Sequence, residues 1–464
     1  MSLTLRFVIR TLLGGTAERY EDLAVSRCVV DSREARPGDL FFAFRGERAD
    51  GQDYVEDAAR RGAVAAVVRR EGSFDGPGPL RLPGGALAIP VPDVLTALQE
   101  LARAWRLLLP ATVVGVTGSV GKTLTREVVA TVLSQAYRVR RSERNYNNEI
   151  GLPLTVLAMT GDDDYGVLEM GMYALGEIAT LVEVAKPSVG IVTNVGPTHL
   201  ERLGSLEHIA QAKSELVAGL PRSGLAVLNG DDERVAAMAS VARCPVVRYG
   251  LGAGCDVRGE LVRTLGQDGI QFVVASEGIA RSLRAPLLGR HSVYPCLAAV
   301  AVARHAGMDW SDIEAGLAAS GDCSRMRVLH ANGMTILDDT YNAAPISVLA
   351  ALDVLRSMPG RRVAVLGDML ELGSYSEAGH REVGQAVPDA ADLLVAIGPR
   401  ARWIAEEAVT RLGAQAVVCL RTVEEGLTVV PGLVRAGDSV LVKGSRGLQL
   451  ERLCWALTED SEIN

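Results

Sequence analysis

Lys122 and Thr123 close the stretch Thr112–Thr123, TVVGVTGSVGKT. An amine and a hydroxyl directly after a glycine-rich turn are the groups that hold a nucleotide's phosphates. The ammonium would meet β and γ oxygens, and the hydroxyl would face Mg²⁺. Gly118 and Gly121, with Ser119 and Val120 between them, let backbone N–H groups close on phosphate oxygens. The helix predicted over Leu124–Leu133 would add the partial positive charge of its N-terminus. The spacing is T-G-x-x-G-K-T, and a strict P-loop would place its first glycine at Val116. The alternative is a plain glycine turn between a strand and a helix, which leaves Lys-Thr unexplained.

A second set of polar residues falls at the ends of predicted strands. Glu169 ends LEM, Asn194 ends VTN with His199 in the next loop, and Asp231 and Asp232 follow LNG. Each alone could be a cap or turn residue. Together, beside a phosphate loop, they suit a site at the carboxyl ends of a sheet. Lys213 differs in kind. It lies four residues after Ile209 and four before Val217, on the apolar stripe of a helix predicted over Leu206–Leu220 with Ser205 as N-cap. Such a lysine either snorkels to water or is buried with a lowered pKa. A neutral amine can take up CO₂ and become a carbamate, which beside Glu169 and His199 would suit a second Mg²⁺.

The elements that must position these groups alternate strand and helix. The N-terminal part gives strands at Cys28–Val30, Leu40–Phe44 and Val64–Val68, a helix at Tyr54–Arg61 and another at about Val94–Leu108. Asp31-Ser32-Arg33, taken alone, is an ordinary polar turn, and Glu71–Gly85 is a surface loop by composition. The middle part gives apolar strands at Val113–Val116, Gly166–Met170, Val189–Asn194 and Leu225–Asn229, as in a sheet covered on both faces. Asp256–Ala285 reads as hairpins, and an Ala-rich helix follows Leu288. The last part gives strands at Arg362–Leu366, Leu393–Ile397, Ala416–Leu420 and Ser439–Val442, with polar runs DDTYNAAP (338–345) and KGSRG (443–447).

A chain of 464 residues exceeds one core and predicts about two or three domains. The net charge of −8 argues against a nucleic-acid surface. Seven cysteines without CxxC spacing fit a reducing compartment and core positions rather than metal ligation. The opening MSLTLRFVIRTLLGG is split by Arg6 and Arg10, and no apolar run reaches membrane length, so a soluble cytoplasmic protein is expected.

These motifs resemble the Mur ligase family over nearly the whole chain. VTGSVGKT is similar to its ATP loop, and DSREARPGDLFFAFRGERADGQDYVEDAARRGAVAAVV (31–68) to its UDP-binding domain. NYNNEIGLPLT, LEMGM, TNVGPTHLERLGSLEHIAQAKSEL and DDTYNAAP follow in the family's order. The third-residue-adding members carry DNPR-type and D-Y-A-H-T-P-like segments, absent here. DDTYNAAP is nearer to the members that add D-alanyl-D-alanine.

The resemblance implies an α/β protein of three domains. These are a small UDP-sugar-binding domain (1–109), a central P-loop-type ATPase domain with a mostly parallel sheet (110–321) and a C-terminal Rossmann-like domain (322–464). It implies ATP-driven joining of D-Ala-D-Ala to UDP-MurNAc-tripeptide through an acyl phosphate, by a monomer. Gly118–Thr123 would hold the ATP phosphates. Thr123 and Glu169 would ligate one Mg²⁺, and His199 with carbamylated Lys213 a second. Arg325 matches an interdomain arginine; His291, Asp339, Tyr341 and Asn342 match nucleotide contacts. Ser32 and Arg33 match the uridine end, and Asn147 and Asn148 a substrate-facing loop. Ser292 and Pro295 stand where the family's H-N-x-x-N has asparagines, and Ala344 replaces another; the first two fall at the adenosine end. Three readings remain open: the D-Ala-D-Ala ligase, an amide ligase with another amine or acceptor, and a non-catalytic nucleotide- or UDP-sugar-binding relative.

Overall fold

Three sheets follow one another along the chain in a computed structural model that describes residues 2–14, 22–46, 49–76, 78–143, 145–198 and 200–459. The first has the strand order Cys28–Val29, Leu40–Phe42, Ala65–Arg69, Leu87–Val91 and Leu80–Arg81. All but the last run parallel. Leu80–Arg81 lies within the segment expected to be surface loop, and Leu80 and Leu82 pack on the apolar cluster beneath. The neighbouring strand LAIPV is masked in the sequence by Pro90, since proline argues against a strand paired on both sides. The opening stretch forms the helix Leu5–Leu13, capped by Thr4 and buried through Leu5, Val8 and Ile9.

The middle sheet has nine strands. The strand Thr112–Thr117 lies between Tyr165–Glu169 and Val189–Val192, the latter followed by Leu225–Asn229, all parallel. Val139–Arg141 closes one edge in parallel. On the other side Val246–Gly250 and Val257–Thr264 continue the parallel set, and Ile270–Ser276 and Ile279–Ala285 end it as an antiparallel meander, as the hairpin reading expected. Val113, Val114, Val116, Ile191 and Val227 are wholly buried, because helices cover both faces.

The helix Val94–Arg106 joins the first two sheets rather than ending one of them. Trp105 donates its indole N–H to Met159 O at 3.0 Å. The Arg106 guanidinium donates to the carbonyls of Ala185, Leu109 and Ala111 at 2.7–3.0 Å. A single apolar cluster therefore runs from Leu3 to Cys244, across Pro110.

The third sheet has the order Arg327–Ala331, Met334–Asp339, Ser439–Lys443, Arg362–Gly367, Leu393–Ile397 and Val417–Leu420. Only Arg327–Ala331 is antiparallel. Apolar clusters fill both of its faces. The cysteine expectation holds in part: Cys244, Cys296, Cys323 and Cys454 are buried, but Cys419 is exposed. Among the described residues no helix is long and apolar enough to cross a membrane.

Candidate active site

Thr112–Thr117 delivers the chain to the carboxyl edge of the middle sheet, and the phosphate loop is held there by the neighbouring strand end. The Asn194 side chain clamps Val120 from both sides: its Oδ1 accepts the Val120 N–H at 2.9 Å and its Nδ2 donates to Val120 O at 2.9 Å. Thr193 Oγ1 donates to Val120 O at 2.7 Å, and Ser119 Oγ donates to Gly196 O at 3.0 Å. Gly118 has φ +147°, and a Cβ there would lie 1.8 Å from Thr193 Oγ1, so the loop closes only on glycine. Gly121, at φ +83°, turns the chain into the helix Lys122–Leu133. Lys122 Nζ curls back onto Gly118 O at 2.8 Å and Ser119 O at 3.2 Å. Burial holds its pKa below the ordinary lysine value, opposed by Glu169.

Glu169 is the buried carboxylate of the site, 1% exposed. Its Oε2 accepts from Thr123 Oγ1 at 2.8 Å and from Arg126 Nη1 at 3.2 Å, and its Oε1 from Asn147 Nδ2 at 2.8 Å. A buried charge needs such partners. The sequence reading missed Arg126, although it lies one helical turn after Thr123 on the same face. Thr123 and Glu169 present hard oxygen donors to one cavity. That donor set fits Mg²⁺, which takes one or two carboxylates and fills its shell with substrate phosphates and water. Among the described residues no group of three or more His, Cys, Asp or Glu forms a ready-made cage. His199 lies outside the described residues.

Lys213 is 2% exposed on the helix Leu206–Ala218, flanked by Ile209, Ala212, Leu216 and Val217. Ser205 caps that helix, accepting the His208 N–H at 3.1 Å. Among the described residues Lys213 makes no hydrogen bond or ion pair. Burial, with the charge of Lys122 adding to it, pushes its pKa well below the usual lysine range.

The third sheet faces this loop across a cleft. Arg325 donates to Thr123 Oγ1 at 2.5 Å and stacks 4.0 Å from the Tyr341 ring centre. Asp339 accepts from Lys443 Nζ at 2.6 Å, and the same ammonium donates to Asn342 O at 2.8 Å. Lys443, 2% exposed, shows in the sequence only as part of a polar run. Three departures from the family pattern are absorbed locally. Ser292 Oγ donates to Leu288 O at 2.6 Å. Pro295 falls in the first turn of the helix Val293–His305, where its missing N–H is harmless. Ala344 precedes Pro345 at the start of the helix Pro345–Arg356.

Three cavities meet at Lys122. The first, about 380 Å³, is lined by Asn147, Asn148, Thr180 and Lys213 and extends to Gln99. The second, about 310 Å³, is lined by Asn342–Ala344, Leu370–Leu372 and Ser445–Gly447. The third, about 340 Å³, is lined by Thr123, Glu169, His291, Arg325, Asp339 and Tyr341. Ser32 and Arg33 border none of them. Ser32 is buried in a turn capped by Asp31, and exposed Arg33 pairs with Asp31 at 2.6 Å. Asn148 Oδ1 accepts the Gly151 N–H at 2.9 Å and so starts the helix Gly151–Ala158.

Comparison with known proteins matches residues 116–303 to the Mur ligase middle domain. Residues 324–446 match the Mur ligase glutamate ligase domain, and 25–106 the Mur ligase family catalytic domain. The UDP-N-acetylmuramoyl-tripeptide–D-alanyl-D-alanine ligase of Bacillus subtilis is 36% identical, over 95% of both chains. The chain belongs to the Mur ligase family. The Escherichia coli protein of the same name is 34% identical, also over 95% of both chains. Among solved Mur ligase structures, MurF from Acinetobacter baumannii superposes with a TM-score of 0.86 at 28% identity, covering 99% of both chains. MurF from Thermotoga maritima, solved in complex with ADP, gives 0.80 at 28% identity over 96% of this chain and 99% of that one. The three-domain α/β architecture is thus that of this Mur ligase group.

Proposed function

We propose that this Mur ligase is the ATP-dependent enzyme that joins D-alanyl-D-alanine to UDP-N-acetylmuramoyl-tripeptide in peptidoglycan precursor synthesis. The observation that carries the reading is the convergence of three cavities on Lys122, since the reaction brings three substrates to one point. The third cavity would take ATP, with His291, Asp339, Tyr341 and Asn342 toward the nucleoside and Gly118–Thr123 on the phosphates. The first would take the peptide end of the UDP-sugar, past Asn147 and Asn148, with Ser32 and Arg33 on the uridine side. The second would take the dipeptide amine. The division into 1–109, 110–321 and 322–464 is proposed with it, and the cavities lie where these parts meet.

The residues suggest the order of events. A peptide carboxylate oxygen attacks the γ-phosphorus, the bond to ADP breaks and an acyl phosphate forms. The dipeptide nitrogen then attacks the acyl carbon, loses a proton, and phosphate leaves. Mg²⁺, two ions in this reading, supplies charge neutralisation between carboxylate and triphosphate. Thr123 and Glu169 would hold one ion, and His199 with a carbamylated Lys213 the other. Lys122, which rests on the loop carbonyls, would turn to the γ-phosphoryl. Arg325, poised over the loop from the third sheet, would meet the same charge and shield the acyl phosphate from water. The free cysteines support work in the cytoplasm, and a monomer is proposed.

Phosphate release should require both UDP-MurNAc-tripeptide and D-Ala-D-Ala, and Lys122→Ala should abolish it. Turnover with another amine but none with D-Ala-D-Ala would move the enzyme to a different ligation, and failure to bind ATP would remove the enzymatic reading.

A further inference from the structure

His380 lies outside all three cavities, on the helix Ser376–Ala390, and is completely buried. Two contacts fix its ring. The Met369 N–H donates to Nε2 at 3.0 Å, and Nδ1 lies 2.6 Å from Ser376 O. A carbonyl can only accept and an amide N–H can only donate. The proton must therefore sit on Nδ1 and the lone pair on Nε2, which is one neutral tautomer. Trp403 packs edge-on against the ring at 5.7 Å. Burial lowers the imidazole's pKa, with Asp368 opposing and Arg400 assisting, so the neutral form is the resting one.

Met369 opens the segment that supplies Leu370–Leu372 to the second cavity and to neither of the others. That segment is pinned at successive residues. The Asp368 carboxylate accepts the N–H groups of Arg400 and Ala401 at 2.9 and 2.7 Å. Met369 is held by His380, and the Leu370 N–H donates to Ser445 Oγ at 2.9 Å. Ser445 lines the same cavity. Removing the middle pin leaves a buried N–H without a partner and loosens the stretch that Leu370 ties to Ser445.

We infer that His380 is a positioning residue for the amine substrate: acting through Met369, it sets Leu370–Leu372 against Ser445–Gly447 and so shapes the second cavity. The inference rests on the assignment of that cavity to the dipeptide.

The test uses the full-length enzyme and the variants His380→Ala and His380→Gln. His380→Ala should raise the KM for D-Ala-D-Ala about tenfold, the cost of one lost buried hydrogen bond, and leave the KM values for ATP and the UDP-sugar peptide nearly unchanged. Amide hydrogen exchange over 369–372 should quicken in the same variant. His380→Gln can present Oε1 to the Met369 N–H and should restore both. Equal rises in all three KM values would reduce His380 to a general stability role and overturn the inference. So would unchanged exchange at 369–372, or a His380→Gln variant no better than His380→Ala despite a cooperative melt. If the wild-type enzyme ignores D-Ala-D-Ala, the functional reading fails by itself, and exchange at Met369 then decides the positioning role.

Discussion

At the scale of a residue, Lys213 poses the sharpest chemical question. A lysine at 2% exposure that makes no hydrogen bond among the described residues pays a desolvation cost that packing alone does not explain. Its pKa is held down by burial, so the unfolded chain takes up a proton at the ordinary lysine pKa while the folded chain does not. The sign follows: stability is present above the unfolded value and declines as pH falls below it. Lys213→Met should therefore melt higher than wild type at neutral pH in CO₂-free buffer, by roughly 1 kcal/mol or more. Activity should move the other way. Lys213→Ala should lose nearly all ligase turnover while keeping its fold, and acetate or formate should return part of it by standing in for a carbamate. Lys213→Arg should stay inactive with either anion, because guanidinium fills the space and forms no carbamate. A native mass without added CO₂ in a fully active enzyme would remove the carbamate and leave Lys213 as a phosphate-binding cation.

At the scale of an element, the phosphate loop shows how much geometry a short sequence fixes. Ala at position 118 would drive its Cβ into Thr193 Oγ1, and removing that hydroxyl should relieve part of the clash. Gly118→Ala should raise the KM for ATP at least about tenfold, and the Gly118→Ala, Thr193→Ser pair should do no better, since Ser keeps an Oγ. Gly118→Ala with Thr193→Ala should recover part of the loss, as read by ATP KM in a double-mutant cycle. Elements of this kind were legible because parallel strands buried on both faces read as apolar runs. Leu225–Asn229 and Leu393–Ile397 fall where the runs place them, and Lys213 takes the buried one of the two states its stripe leaves open. What pairs with what was not legible. The Arg126–Glu169 contact, the Asn194 clamp on Val120 and the Lys443–Asp339 pair join residues far apart or on different strands, and no local pattern encodes their partners. The strand Arg327–Ala331 was hidden for another reason: it is a sheet edge with little burial, so its residues lack the apolar signature.

At the scale of the molecule, residues around the third sheet touch the middle part of the chain along the edge of the cleft. Arg325 reaches Thr123, Ile346 lies over Gly196, and Gly373 sits on the backbone of Glu201, two residues beyond His199 in the chain. The Glu201 N–H faces Glu371 O at 3.5 Å along the same seam. Gly373 is decisive for the approach, because its φ is +53° and a Cβ there would lie 2.9 Å from Glu201 Cα and 3.0 Å from its N. Backbone cannot step aside as a flexible side chain can. Gly373→Val therefore combines a disfavoured conformation with a bar to closure, and it should lower ligation kcat at least about tenfold while raising the radius of gyration measured by X-ray scattering with nucleotide present. Asn tolerates positive φ but carries the same Cβ. Gly373→Asn separates the two causes: it should share the loss of kcat and the expansion if closure is blocked at Glu201, and it should behave like wild type if conformational strain alone is at work. A Gly373→Val enzyme with normal kcat and an unchanged radius would show that the contact between Gly373 and Glu201 is incidental to turnover.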